Sequence, residues 1–333
     1  MYIKNEMIHP ELRRRGRLIR RVMPFFKTKS FYICAKVQKF MKGIHSRELH
    51  YEQIWISRPH SAPESPKLRL CVYGPKDRKE QVPGLLWIHG GGYAMGIPEQ
   101  DDGFIKNFVR QSGCIVVSPD YRLSTKAPYP AALEDCYTAL LWLKEHALLY
   151  GVRSDQLMIG GDSAGGGLTA ALSIYARDQG EVAISFQMPL YPMLDDRMIT
   201  ESSRKNDAPV WNSKSNENAW KLYLGELYGT DDVPTYAAPA RLTEYHNLPP
   251  AFTFVGSIEP FRDETIAYME HLKAAGIPVE YHVFPGCFHA FDQMCKNSTP
   301  ARTARKLLMK NFRYAIEHYF ATQPENLTKQ DAM

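Results

Sequence analysis

The chain has 333 residues, 44% of them hydrophobic, and a net charge of +5 that is local: the arginines at 13, 14, 15, 17, 20 and 21 supply +6, which leaves −1 for the rest. There is ample material for a large core, and α/β folds of this length occur as one domain. No run approaches the roughly 20 apolar residues that cross a bilayer, which excludes a stable membrane insertion. One short basic patch does not make a nucleic-acid binder, and "LRRRGRLIRR" reads as a solvated helix face with Leu12, Leu18 and Ile19 behind it. "MYIKNEMIHP" has neither an apolar signal core nor a small-residue cleavage site. The cysteines Cys34, Cys71, Cys114, Cys136, Cys287 and Cys295 are widely spaced, several within apolar runs, and read as free thiols. The expectation is a soluble cytoplasmic protein.

In chain order, residues 1–45 are basic with apolar residues at helical spacing. Leu49–Ser57 and Lys67–Gly74 alternate like strands, and "GPKDRKEQVPG" is a charged turn after them. Leu85–His89 and Cys114–Pro119 are short continuous apolar runs, as in strands buried on both faces of a parallel sheet. Pro130–Ala147 has helical periodicity, Gln156–Gly160 reads as a strand and Ser163–Arg177 as a helix. Ala183–Leu190 and Ala251–Gly256 are further strands. Asp263–Ala275 is a helix, Val279–Pro285 a strand, and Ala301–Phe320 a last helix before a polar tail. Strand–helix alternation predicts a mainly parallel sheet covered by helices on both faces. The rhythm breaks between Asp195 and Leu248. The expected organisation is therefore N-terminal helices (1–45), an α/β core (46–194 and 249–321), an inserted segment (195–248) and a tail (322–333).

"GGDSAGGG", from Gly160 to Gly167, raises the functional question. A P-loop fails for want of its lysine. Gly165 to Ala170 fits G-x-G-x-x-A, but those glycines fall inside the helix rather than in the turn where a pyrophosphate would lie. Gly161-Asp162-Ser163-Ala164-Gly165 fits G-x-S-x-G with a strand before and a helix after, the setting of a nucleophilic serine on a strained turn. "WIHGGGY" after an earlier strand supplies the matching part: Gly91 and Gly92, with Ala164, offer backbone N–H groups to a developing oxyanion. The base is His289 in "PGCFHAF", after the last strand, while His282 lies within that strand. The acid follows "AFTFVG", and Glu259 in the loop is preferred over Asp263, which suits the first helical turn.

With "DYRL", "YPAALEDCYTAL", "YPMLDD" and "EPFRDE" added, residues Gly84 to Phe291 resemble the hormone-sensitive-lipase-like serine esterases (bacterial family IV) of the α/β-hydrolase fold. The resemblance implies Ser163 as nucleophile, His289 as base, an acid at Glu259, and an oxyanion hole from Gly91, Gly92 and Ala164. It also implies a helical cap, built from the N-terminus and the insertion, over an acyl pocket. Tyr93, Met193, Trp211, Trp220 and Tyr223 are candidate pocket walls. Two departures stand out. Most relatives carry aspartate where this chain has Glu259, and they read Tyr-Arg-Leu-Ala-Pro-Glu where this chain has Ser124-Thr125-Lys126 after Tyr121-Arg122-Leu123. The second departure predicts altered loop packing near the site.

The reading is a serine carboxylesterase for short- to medium-chain acyl esters, working through an acyl-enzyme without metal or organic cofactor. Its partner is a small ester, with neither nucleic acid nor membrane insertion. Relatives often dimerise through the last strand and helix, and the apolar positions of Ala301–Phe320 permit a homodimer of that kind here. The alternatives are the same triad acting on amides, lactones or carbamates, and a non-catalytic small-molecule receptor on this scaffold. Plant hormone receptors that resemble the family lose the histidine, which is present here.

Overall fold

The buried apolar runs assemble side by side into one sheet. The computed structural model describes residues 2–59, 62, 64–77 and 81–324. The middle of the expected charged turn (78–80) and most of the expected polar tail (325–333) lie outside the described residues. In chain order the elements are α1 (Pro10–Val22), α2 (Thr28–Gln38), β1 (His50–Ile56), β2 (Leu68–Gly74), β3 (Val82–Ile88), α3 (Asp102–Ser112), β4 (Ile115–Pro119) and α4 (Ala131–His146). Then come β5 (Val152–Asp162), α5 (Ala164–Gln179), β6 (Phe186–Leu190), α6 (Ser213–Leu224), β7 (Ala251–Gly256), α7 (Arg262–Ala274), β8 (Val279–Phe284), α8 (Phe291–Met294) and α9 (Thr299–His318).

The strand order is β1-β2-β4-β3-β5-β6-β7-β8. β2 runs antiparallel to both its neighbours, and the pairs from β4 through β8 are parallel. The inner strands β3, β4, β6 and β7 are buried along their whole length, whereas the edge strands β1 and β8 keep exposed positions. Side-chain alternation splits the core into two layers. Leu86, Ile88 and Ile159 face the layer under α4 and α5. Leu85, Trp87 and Met158 face the layer under α3 and α9, where Phe108 meets Phe312 edge-on with centroids 4.8 Å apart.

All eight expected strands are present; β5 is longer than expected at both ends, and β3 begins three residues earlier. Helix α3 was not expected. Its buried face is Phe104, Ile105, Phe108 and Val109, and it ends on Gly113 at φ 74°, a left-handed cap.

The N-terminal helices and the 195–248 segment pack on each other. Phe31 of α2 is fully buried and lies 6.0 Å from the Trp211 ring. The Phe26 N–H donates to Ser215 Oγ (2.9 Å), and Asn218 Nδ2 donates to Phe26 O (2.9 Å). Asn212 Nδ2 donates to Pro24 O (2.6 Å) while its Oδ1 caps α6 at the Ser215 N–H (3.1 Å).

A buried charge network ties the end of the N-terminal segment to the sheet. Arg69 of β2, 2% exposed, donates to Glu99 Oε1 at 2.6 Å and Oε2 at 3.1 Å, and to Asp120 Oδ2 at 3.0 Å. Glu99 also accepts from the Gly43 N–H (2.7 Å), and Lys42 pairs with Asp120. Burial opposes ionisation of both carboxyls, but Arg69 outweighs it and both pKa values lie below the ordinary range. Their stabilisation is therefore present above the unfolded carboxyl values and is lost as pH falls through the lowered ones. Arg69→Met leaves the buried Glu99 with no cation and Asp120 with Lys42 alone. It should cost about 3–5 kcal/mol in urea unfolding at neutral pH, and an unchanged midpoint would show that the network contributes nothing.

Candidate active site

Four strands deliver the functional segments at their carboxyl ends, where ligands bind in open parallel sheets. β3 leads into His89–Gly96, β5 into Ser163, β7 into Glu259 and β8 into His289. The backbone turns there are unusual. Tyr93 (φ 59°), Ser163 (φ 57°), Tyr191 (φ 33°) and Ala290 (φ 53°) all have positive φ, a conformation that side chains resist and that clusters at functional sites.

Ser163 sits between β5 and α5 at φ 57° and ψ −117°. Its N–H donates to Leu190 O (2.9 Å), and its carbonyl accepts from Gly167 N (2.9 Å) and Met193 N (3.1 Å). The flanking glycines are required by close approach. A Cβ on Gly161 would lie 2.4 Å from Ile88 O, and one on Gly165 would lie 2.0 Å from the same oxygen. The turn is thus pressed against the end of β3, which leaves the serine side chain on the site side.

The sequence-predicted residues come together. His289 Nε2 lies 2.8 Å from Ser163 Oγ, and His289 Nδ1 is hydrogen-bonded to Glu259 Oε2. The other Glu259 oxygen accepts from the Gly256 N–H at 2.7 Å, so the fully buried carboxylate is fixed from both sides. Asp263 is not in this chain of bonds: it accepts from the Ser202 N–H (2.8 Å) and pairs with Arg262. His282 is exposed on β8. Tyr191, Phe261 and Trp211 surround the His289 ring at 5.0, 5.1 and 6.2 Å.

Gly91 (φ 123°) and Gly92 (φ 60°) form the turn opposite Ser163, and Ala164 opens α5. The N–H groups of these three donate to no acceptor among the described residues. The Trp211 ring covers Gly92 so closely that a Cβ there would fall 2.4 Å from it. Of the other proposed wall residues, Tyr93 stacks on Tyr223 (3.9 Å) and leans on Trp220 (5.6 Å). Its hydroxyl donates to Met193 O at 2.8 Å. All four are buried. The unusual Ser124-Thr125-Lys126 braces this loop: the Ser124 N–H donates to Tyr93 O (2.8 Å) and Thr125 Oγ1 to Ala94 O (3.3 Å).

Sequence reasoning missed the residues that hold the pieces in place. Asp162 accepts from the Gly90 N–H (2.9 Å) with one oxygen and from Gln293 Nε2 (2.9 Å) with the other, linking the glycine loop, the serine turn and the histidine loop. His89 donates from Nδ1 to Gly90 O (2.9 Å) and stacks on Tyr121, whose hydroxyl donates to His89 O (3.0 Å). Burial pushes the His89 pKa down to about 4, so it is a neutral spacer. Adjacency to the motifs was the available signal for Asp162 and His89. Gln293 had none. Asp101 and Asp292 are also buried beside Asp162. Among the described residues no group of three or more His, Cys, Asp or Glu is arranged to hold a metal.

A strained serine turn, a histidine joined to a carboxylate, and a facing glycine loop on a mainly parallel sheet define an α/β hydrolase. The family described as "alpha/beta hydrolase fold" matches residues 85–293. Esterase LipI of Mycobacterium tuberculosis is 34% identical over 258 residues, covering 77% of this chain and 80% of that protein. Carboxylesterase NlhH of the same organism is 33% identical over 223 residues, covering 66% and 70%. The solved structure of a bacterial heroin esterase aligns with a TM-score of 0.85 at 31% identity, over 93% of this chain and 98% of that one. The chain belongs to the α/β-hydrolase family, in its hormone-sensitive-lipase-like esterase branch.

The carboxyl behind the site gives a pH test. Burial, and then the charge of Asp162, push the Asp292 pKa up to about 7. A raised carboxyl pKa favours folding fully below the unfolded value of about 4, and that contribution is lost as pH rises through the folded value. Asp292→Asn removes the titration, so the fall in thermal midpoint from about pH 5 to about pH 8 should be smaller than in the parent. Identical profiles would contradict a buried acid at this position.

Proposed function

We propose that the chain is a serine carboxylesterase of short- to medium-chain acyl esters, with Ser163 as nucleophile, His289 as base and Glu259 as the acid partner. The observation that carries this reading is the unbroken line from Ser163 Oγ through His289 to Glu259. Ser163 Oγ attacks the ester carbonyl as its proton passes to His289 Nε2. Glu259, anionic and fixed by the Gly256 N–H, holds the ring with Nδ1 protonated and stabilises the imidazolium. The oxyanion is received by the amides of Gly91, Gly92 and Ala164, with the N-terminal end of α5 adding positive potential. His289 then protonates the leaving alcohol, and water repeats the sequence on the acyl-enzyme.

Glutamate serves in place of the shorter acid because its carboxyl is anchored through Oε1 to the last amide of β7 while Oε2 meets His289. Substrate length follows from crowding: Trp211 covers Gly92, and Tyr191 and Phe261 close in on His289, so a compact acyl group is favoured. The helices α1 and α2 with residues 195–248 form the cap over the site, and Trp211 is the cap side chain that meets both Gly92 and the His289 ring. The names of the relatives, esterase and carboxylesterase, support the same reaction class.

Hydrolysis of p-nitrophenyl esters from acetate to palmitate should peak at the short acyl chains, and Ser163→Ala should lose at least about a thousandfold in kcat. A modest fall in that variant, with contaminating esterase excluded, would overturn the assignment.

A further inference from the structure

Between Glu11 and Glu48 the sequence holds seven arginines and five lysines and no acid. The same region carries an unusual share of exposed apolar surface: eleven of the seventeen exposed large hydrophobic side chains among the described residues lie between Tyr2 and Ile44. The clearest patch is on α2 and its continuation. Phe31 and Ala35 face inward and are buried, yet the outward side is apolar too, with Ile33 63%, Val37 58%, Phe40 83% and Ile44 62% exposed. Ile33 and Val37 are one turn apart on one helix face, and the exposed Phe40 and Ile44 follow in the segment just after the helix. A helix that is apolar on both sides is normally covered on both. Lys29, Lys36 and Lys39 are exposed alongside and form no ion pair among the described residues.

We infer that the outer face of α2 docks the protein on an anionic lipid or micellar surface. Apolar side chains entering the interface while lysines meet anionic headgroups is the chemistry of a peripheral, in-plane helix. Charge complementarity selects this occupant: a second copy of the chain would set the acid-free stretch of one molecule against that of the other, and like charges face to face oppose association. No helix among the described residues is long and apolar enough to cross a membrane, so the attachment is peripheral. The docked face belongs to the helix whose inner residue Phe31 touches Trp211, so docking would bring the covered pocket to the phase in which apolar esters collect.

The test is co-sedimentation of the full chain with vesicles of phosphatidylcholine alone and with about one third phosphatidylglycerol, at low and high salt. The expected result is binding to the mixed vesicles that weakens with salt. It should fall by about tenfold or more in Ile33→Asp/Phe40→Asp, with the thermal midpoint and hydrolysis of a soluble short ester unchanged. Both residues are solvent-exposed and outside the site, so folding of the variant is read directly from its melting curve. A charge-only variant, Lys36→Gln/Lys39→Gln, should lose the preference for anionic vesicles while keeping the fold. Equal binding by the parent and the folded aspartate variant would overturn the proposal. So would failure of the parent to bind anionic vesicles, including the case where sedimentation velocity shows a dimer that the aspartate variant dissociates. The binding readout does not use catalysis, so it stands or falls separately from the esterase assignment.

Discussion

The site depends on one tight crossing: the turn carrying Ser163 pressed against the last carbonyl of β3. The serine is held at φ 57° and ψ −117°, a conformation that costs about 1–3 kcal/mol for a residue with a side chain. The contact leaves no room for a Cβ at Gly161 or Gly165. Three hydrogen bonds, from the serine amide to Leu190 and into the serine carbonyl from Gly167 and Met193, over-determine the turn. Because β3 and β5 are neighbours in parallel register, the same crossing brings the Gly91–Gly92 loop to the serine. The order β5-β6-β7-β8 then sets where the loops bearing Glu259 and His289 must come from.

The electrostatics around that crossing divide by purpose. Glu259 is satisfied by one amide and one imidazole, which fix its carboxyl group beside the His289 ring. Asp162 is spent on holding three loops together. Asp101 and Asp292 have pKa values raised by burial. Each proton they hold removes a negative charge that would compete with Glu259 for His289. The Arg69–Glu99–Asp120 network is a separate structural unit. It anchors the chain at Lys42 and Gly43, just before β1, and so fixes where the N-terminal helices leave the sheet.

Most of this was legible in the sequence, for identifiable reasons. The inner strands of the parallel sheet write themselves as apolar runs and the edge strand β1 as alternation, and all eight expected strands are present. The G-x-S-x-G and HGGG patterns are legible because close backbone approach admits only glycine. Helix α3 escaped because Gly103 sits in its first turn beside acidic residues, although Phe104, Ile105, Phe108 and Val109 have helical spacing and Gly113 marks the end. Glu259 could be preferred over Asp263 by position alone. The reason that Asp263 lies apart, its bonds to Ser202 and Arg262, needed coordinates. The buried state of Asp292 and the outward apolar face of α2 are tertiary facts. Periodicity cannot tell which side of an all-round apolar helix meets the core.

The most direct test of the central claim is covalent capture of the nucleophile. The protein would be treated with a small p-nitrophenyl alkylphosphonate, and intact mass and peptide mapping would follow the adduct in the parent and in His289→Asn. The account predicts one phosphonyl group per chain on Ser163 of the parent, formed far more slowly in the variant. Labelling elsewhere, or no labelling of folded parent protein, would contradict an activated serine at the β5–α5 turn.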